Sequence, residues 1–123
     1  MKLFVFLPME RTIIYFGDYF RDFIESLNED VREKIDYVLD MLKKLKKVNP
    51  KFVKHIRDGL FELRVAFDGN IYRVFFIFDK GNIVVLFNGF QKKSQKTPLK
   101  EIEKALRIKN EYYEYKREHA SQL

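Results

Sequence analysis

The sequence predicts an α+β fold: a small antiparallel sheet with a helical hairpin packed on one face and a further helix at the C-terminus. Three observations predict it. Apolar residues recur with a period near 3.6 between Asn28 and Leu45. Three strand-like runs follow between Leu60 and Phe87, separated by short turns rich in Asp, Asn and Gly. A Thr97-Pro98 step then reopens a helical pattern. The chain has 123 residues, no repeats and no linker-like tract, so it reads as one domain over residues 1–123. Its hydrophobic content of 46%, with thirteen Phe and seven Tyr, is enough for one aromatic-rich core.

Residues 1–8 read as an extension of mature sequence, because MKLFVFLPM has one Lys, a short apolar run and no small-residue cleavage site. Met9 is an alternative start. Thr12 to Phe16 (TIIYF) is β-branched and aromatic, and forms a first strand. Gly17-Asp18 opens a helix whose apolar side holds Tyr19, Phe20, Phe23, Ile24 and Leu27. Asn28 is a good N-cap for a second helix, with Glu29 and Asp30 in its first turn, where the helix dipole favours acids. The apolar positions of that helix are Val31, Ile35, Val38, Leu39, Leu42 and Leu45. Lys43, Lys44, Lys46 and Lys47 crowd its end, and Asn49-Pro50 stops it. The runs Leu60 to Phe67, Ile71 to Phe78 and Ile83 to Phe87 make an antiparallel meander. Thr97 then serves as an N-cap, with proline first in a helix that extends to about Lys116.

The 24 basic residues exceed the 18 acidic ones by six. That surplus favours a polyanionic partner, nucleic acid first and an anionic membrane surface second. There is no cysteine, which excludes disulfides, thiolate catalysis and cysteine-ligated metals. The two histidines, His55 and His119, are far apart, so a histidine-built metal site is not expected and no cofactor is called for. No apolar stretch approaches the roughly 20 residues of a membrane span. The cytoplasm is the expected location.

Strand alternation sorts the meander by face. Phe61, Leu63, Val65 and Phe67 point one way; Glu62, Arg64 and Ala66 point the other. With a two-residue turn at Asp68-Gly69, Phe67 pairs with Asn70 and Arg64 falls opposite Arg73. Like charges at facing positions oppose folding by about 0.2–1 kcal/mol, so the pair suggests an anion to be held. The planar fork of arginine suits phosphate. The alternative is that Glu62 or another acid neutralises the arginines, or that a longer turn separates them. After the third strand comes a polar, basic loop from Asn88 to Thr97. Here Phe90 would stack on a base while Lys92, Lys93 and Lys96 hold the backbone, unless the segment is only a solvated lysine loop. Lys43, Lys44, Lys46, Lys47, Lys51, Lys54 and Arg57, uninterrupted by an acid, are either a solvated helix end or an extension of an RNA track.

These residues carry a resemblance. Gly59-Leu60 through Glu62-Leu63-Arg64, Tyr72-Arg73, Gly89-Phe90 with Lys92-Lys93, and Lys96-Thr97-Pro98 together resemble the HigB branch of the RelE/HigB toxins and related phage-derived proteins. The similarity covers roughly Arg11 to Tyr113. It implies a compact α+β ribonuclease fold and cleavage of messenger RNA, in many relatives only on the translating ribosome. It also implies inhibition by a cognate antitoxin, typically a helix-turn-helix protein. By position, the sheet arginines of the family map onto Arg64 and Arg73, and its basic residue after the last strand onto Lys92 or Lys93. One departure stands out. RelE-type members carry a tyrosine soon after that basic residue, whereas this chain has none between Gln91 and Glu111.

Metal-free RNA cleavage needs a base near the 2′-hydroxyl, cations on the phosphorane oxygens and an acid for the leaving oxygen. Arg64 and Arg73, helped by Lys92 or Lys93, supply the cations, and a lysine among other cations could move a proton. His55 is the other proton-transfer candidate, or an ordinary loop histidine. Glu62 would act as base or orient an arginine, and Lys54 would help to hold RNA. Arg73→Ala is expected to remove cleavage and keep the fold. The competing reading is a non-catalytic RNA-binding or interaction protein that uses Phe75 on the sheet face to stack bases.

Overall fold

The computed structural model describes residues 10–92 and 96–120. Along the chain these form β1 (Thr12–Tyr15), α1 (Tyr19–Glu25), α2 (Glu29–Lys44), β2 (Val53–Arg57), β3 (Leu60–Phe67), β4 (Asn70–Asp79), β5 (Ile83–Lys92) and α3 (Leu99–Glu118). The strands make one five-stranded sheet in the order β1-β5-β4-β3-β2. The fold is α+β as expected, with three further points of arrangement.

The sheet is mixed. β1 runs parallel to β5, with Thr12 beside Ile83 and Tyr15 beside Leu86, while the other pairs are antiparallel. A parallel neighbour requires a long crossover, which here brings the chain from β1 through α1 and α2 to β2 at the far edge. A strand absent from the expected set, β2, pairs with β3 through the Asp58-Gly59 turn. Asp58 (φ 51°) and Gly59 (φ 76°), like Asp68 (φ 49°) and Gly69 (φ 78°), take the left-handed conformations that close a two-residue hairpin. The third is the placement of α3, which the sequence leaves open: the helical hairpin lies on one face, as expected, and α3 on the other. β4 reads IYRVFFIF, apolar on both sides, so both sides need cover. Val31, Ile35, Val38 and Leu42 of α2 bury Leu63, Val65, Val74, Phe76 and Leu86 on one face. On the other, Ala105, Ile108 and Tyr112 of α3 cover Leu60, Phe75, Ile77, Val85 and Phe87.

Helix ends follow from named groups. The Val31 N–H donates to the Asn28 side chain at 3.2 Å, as the cap predicts. At the other end of α2 the Arg11 guanidinium donates to the carbonyls of Leu42 (2.7 Å), Leu45 (2.6 Å) and Lys46 (2.9 Å). Leu42 is in the last turn, whose carbonyls lack helical partners, and Leu45 and Lys46 follow the helix, so Arg11 both caps α2 and ties the start of β1 to it. The expected cap of α3 differs. Pro98 is the N-cap residue, and the Thr97 hydroxyl is directed to another partner.

The far end of α3 is latched to the sheet at Asp79. Its Oδ2 accepts from the Tyr112 hydroxyl at 2.6 Å and from Lys116 Nζ at 2.7 Å. Burial alone would raise the Asp79 carboxyl, but the hydrogen bonds from Lys116 and Tyr112 outweigh it and hold the group below its ordinary value. A carboxyl depressed on folding stabilises the native state above its unfolded value and stops doing so as pH falls through the folded one. Asp79→Asn is therefore expected to lower stability near neutrality, with the gap to wild type closing below about pH 4. Urea unfolding across that range checks this; a gap independent of pH would remove the carboxylate from the account.

Candidate nucleic-acid interface

The register puts Arg64 directly across from Arg73, and Phe67 across from Asn70, as the two-residue turn requires. Both arginines stand on the α3 face of the sheet, two residues or one strand away from Glu62. The Glu62 carboxylate takes the Arg73 guanidinium in a buried ion pair through Oε1. Arg64 Nε lies 3.5 Å from the same oxygen, and the Thr97 hydroxyl donates to Oε2 at 2.6 Å. Glu62 is 0% and Arg73 1% exposed, whereas the Arg64 side chain is 23% exposed. A carboxylate can stay charged at such depth only when paired and hydrogen-bonded, and Glu62 is both. Arg64 is the accessible member of the cluster.

The alternative in which Glu62 pairs with the arginines is thus realised: its carboxylate engages both. The burial of Arg73 also corrects an expectation. Removing its side chain would strand a buried charge, so Arg73→Ala is a stability variant before it is a test of chemistry.

The remaining candidates divide by location. Lys54, on the edge strand β2, pairs with Glu62 and is exposed. Lys96 is exposed, one residue before Thr97. Lys92 ends β5 opposite Ile71, and Lys93 lies outside the described residues. Phe90 is not in a loop. β5 continues to Lys92, Phe90 pairs with Arg73, and its ring stacks on Phe75 with centroids 5.7 Å apart and planes at 25°. The strand keeps going because a bulge between Val74 and Phe76 sets Phe87 and Asn88 against a single residue of β4. His55 leaves the site. It pairs with Phe61 and lies against that ring (5.1 Å), on the α2 face and away from Glu62. Phe75 is 0% exposed beneath Phe90 and α3, so it offers no ring face to a base.

Tyrosine does not fill the gap on this face. Tyr112 is held by Asp79, six residues along β4 from Arg73 and thus on the order of 20 Å away. Burial and its hydrogen bond to Asp79 push the Tyr112 hydroxyl well above its ordinary value. Tyr113 is raised too, by burial and then by the Asp79 charge. Among the described residues, no group of three or more His, Asp or Glu side chains is placed to hold a metal ion. No helix among them is long and apolar enough to cross a membrane.

Two features escaped the sequence reading. One is the Thr97–Glu62 hydrogen bond, which ties the residue before α3 to the buried cluster. The other is a cleft of about 330 Å³ beside Arg64, lined also by Lys34, Lys51, Phe52, Ala66 and Ile71. Lys51 and the lysine-rich run around it were visible in sequence. Lys34 was not, because it belongs to α2 and reaches the cleft only through tertiary packing.

No curated protein matches the chain by sequence. Among solved structures, a chain of the archaeal RelE–RelB complex from Pyrococcus horikoshii is similar in fold, with a TM-score of 0.51 and 14% identity over 72% of this chain and 100% of that one. A chain of the toxin–antitoxin complex RelBE2 from Mycobacterium tuberculosis aligns with a TM-score of 0.49 and 16% identity over 70% of this chain and 95% of that one. Residues 22–110, well over half of the sequence, match the family described as phage derived protein Gp49-like, in keeping with the phage-derived proteins it resembles; the chain belongs to that family.

Proposed function

We propose that this protein is the toxin of a type II toxin–antitoxin pair: a metal-independent endoribonuclease that cuts messenger RNA on the ribosome in the cytoplasm. A helix-turn-helix antitoxin would hold it in check. The observation that carries the reading is the Arg64–Arg73 pair, set face to face and balanced by one carboxylate. Arg64 is part-exposed at this pair, so its planar guanidinium can meet a phosphate from solvent. Membership of the phage-derived family, the RelE/HigB resemblance and the fold shared with a RelE–RelB complex support the antitoxin partner.

In this mechanism the 2′-hydroxyl loses its proton and attacks the adjacent phosphate, and the P–O5′ bond breaks. The products are a 2′,3′-cyclic phosphate and a 5′-hydroxyl that takes up a proton. Arg64, the accessible arginine, takes the developing charge on the phosphorane oxygens. Arg73 reinforces the positive potential from behind and is oriented by Glu62. The Glu62 oxygens are engaged by Arg73, Arg64 and Thr97, which suits an orienting role better than proton transfer. Proton transfer falls to Lys92 or Lys93, with Lys54 and Lys96 on the RNA backbone and Phe90 against the nearest base. One observation favours the non-catalytic reading: Arg73 and Glu62 are buried, as a purely structural pair would be.

The test is induced expression of the wild type and of Arg64→Ala, with growth recorded and messenger 5′ ends mapped. Arg64→Ala is expected to lower cleavage by about 10²–10³-fold, the usual loss when one transition-state donor is removed, while the protein stays folded. Equal arrest and equal cutting by the two proteins would refute the assignment. Normal growth and intact messages with soluble wild-type protein would favour the non-catalytic reading.

A further inference from the structure

We propose that the cleft at the outer edge of β3 is a nucleotide subsite, holding one nucleotide of single-stranded RNA immediately beside the Arg64–Arg73 pair; this rests on the ribonuclease reading above. Its volume of about 330 Å³ lies at the small end of ligand pockets. Among the described residues, three cations, Lys34, Lys51 and Arg64, line it, and no acid does. Asp30 and Glu33 share with Lys34 a separate, shallower depression on the side of Tyr37 and Phe67.

The cleft exists because β2 stops short. The β2–β3 pairing begins at Val53 and Leu63, and one further backbone bond, from the Arg64 N–H to the Phe52 carbonyl (2.7 Å), extends it. Ala66 follows Arg64 by two residues, so its N–H and C=O point outward from the same edge, past the end of β2. A donor and an acceptor at an open strand edge are what the polar edge of a base requires. Ile71, paired with Ala66, supplies apolar surface beside them.

The opposite wall is cationic. Lys51 Nζ sits 4.9 Å from the centroid of the Phe52 ring. The Arg64 side chain borders the cleft while its Nε stays 3.5 Å from Glu62. The base therefore lies toward Ala66 and Ile71, and the phosphate toward Lys34, Lys51 and Arg64. Arg64 belongs to both the cleft and the buried cluster, so a nucleotide seated here presents its phosphate to the cleavage site.

The experiment measures binding of the full chain to a labelled, 2′-O-methylated single-stranded oligonucleotide, which lacks the attacking hydroxyl, across a salt series. Lys34→Gln/Lys51→Gln is expected to weaken binding by about tenfold and to reduce the log–log salt slope by about 0.7, one single-strand phosphate contact. Ala66→Trp fills the cleft at constant charge and is expected to weaken binding with the slope unchanged. Lys100→Gln/Lys104→Gln, on the exposed side of α3, should have a clearly smaller effect. Wild-type affinity in the folded Lys34/Lys51 variant, or an equal loss in the α3 control, would overturn the subsite while leaving the ribonuclease reading in place. A wild type that neither binds this probe nor cuts RNA would overturn both. Binding of polyglutamate that is lost in the Lys34/Lys51 variant, with oligonucleotide binding unchanged, would assign the cleft to an acidic protein segment and overturn the nucleotide.

Discussion

Arg73→Ala is expected to destabilise the protein by about 3–5 kcal/mol, because it leaves the Glu62 carboxylate buried without its principal partner. Arg64 and Thr97 remain, but Arg64 Nε is 3.5 Å away and the hydroxyl carries no charge. Urea unfolding measures the loss. The informative companion is Glu62→Leu/Arg73→Met, which replaces both members by apolar groups and should recover most of the stability, since a well-packed pair of hydrophobes often equals a buried ion pair. That double variant separates two questions joined in the single one. Folded and inactive, it would show that the Glu62–Arg73 pair is needed for chemistry and not only for stability. Folded and still able to cut messages, it would reduce Arg73 to a structural role. A stability of Arg73→Ala within about 0.5 kcal/mol of wild type would mean that Glu62 is not held as described.

Phe75→Ala is expected to cost about 3–5 kcal/mol as well, through the cavity it opens between the sheet and α3. The ring is fully buried, stacked on Phe90 and packed in the cluster that includes Ile77, Phe87 and Ile108. A residue that stacks bases behaves in the opposite way. Its removal weakens RNA binding by about 1–3 kcal/mol and leaves folding nearly untouched. Thermal unfolding and oligonucleotide binding, measured on the same variant, distinguish the two. A folded Phe75→Ala protein of near wild-type stability but poor RNA affinity would restore the sheet-face binder as the better reading.

The legible parts of the structure were those fixed by short-range chemistry. Asp68-Gly69 closes a two-residue turn, and that alone sets the register that brings Arg64 opposite Arg73. Asn28 and the spacing of Val31, Ile35, Val38 and Leu42 define α2. β2 was missed although Asp58-Gly59 is the same turn signal. Its two apolar residues, Val53 and Ile56, are three apart and out of step with strand alternation, because the register shifts between His55 and Arg57. An edge strand with so few apolar residues looks like part of a solvated lysine run. The sequence ends β5 at Phe87 because Asn88-Gly89 opens what reads as a polar, basic loop. Here it marks a bulge, and a β-carbon on Gly89 would fall within 2.3 Å of the Phe23 ring. The parallel partner of β1 and the position of α3 depend on distant contacts that no local pattern encodes. The same holds at the site. The sequence placed Glu62 beside Arg64, but its depth and its bond to Thr97 follow only from the covering of that face by α3.

The parallel pairing of β1 with β5 also bears on the order in which the chain acquires its shape. Strands β2 to β5 are joined by successive tight turns and can zip together from neighbouring residues. β1 cannot: Thr12 must wait for Ile83, and its closure carries the loop entropy of the segment between Tyr15 and Val53 that joins it to the meander. During synthesis the first strand made is therefore the last to find its place. Until it does, the open edge of β5 remains available to another strand, which makes the interval before closure the period of greatest exposure to mispairing.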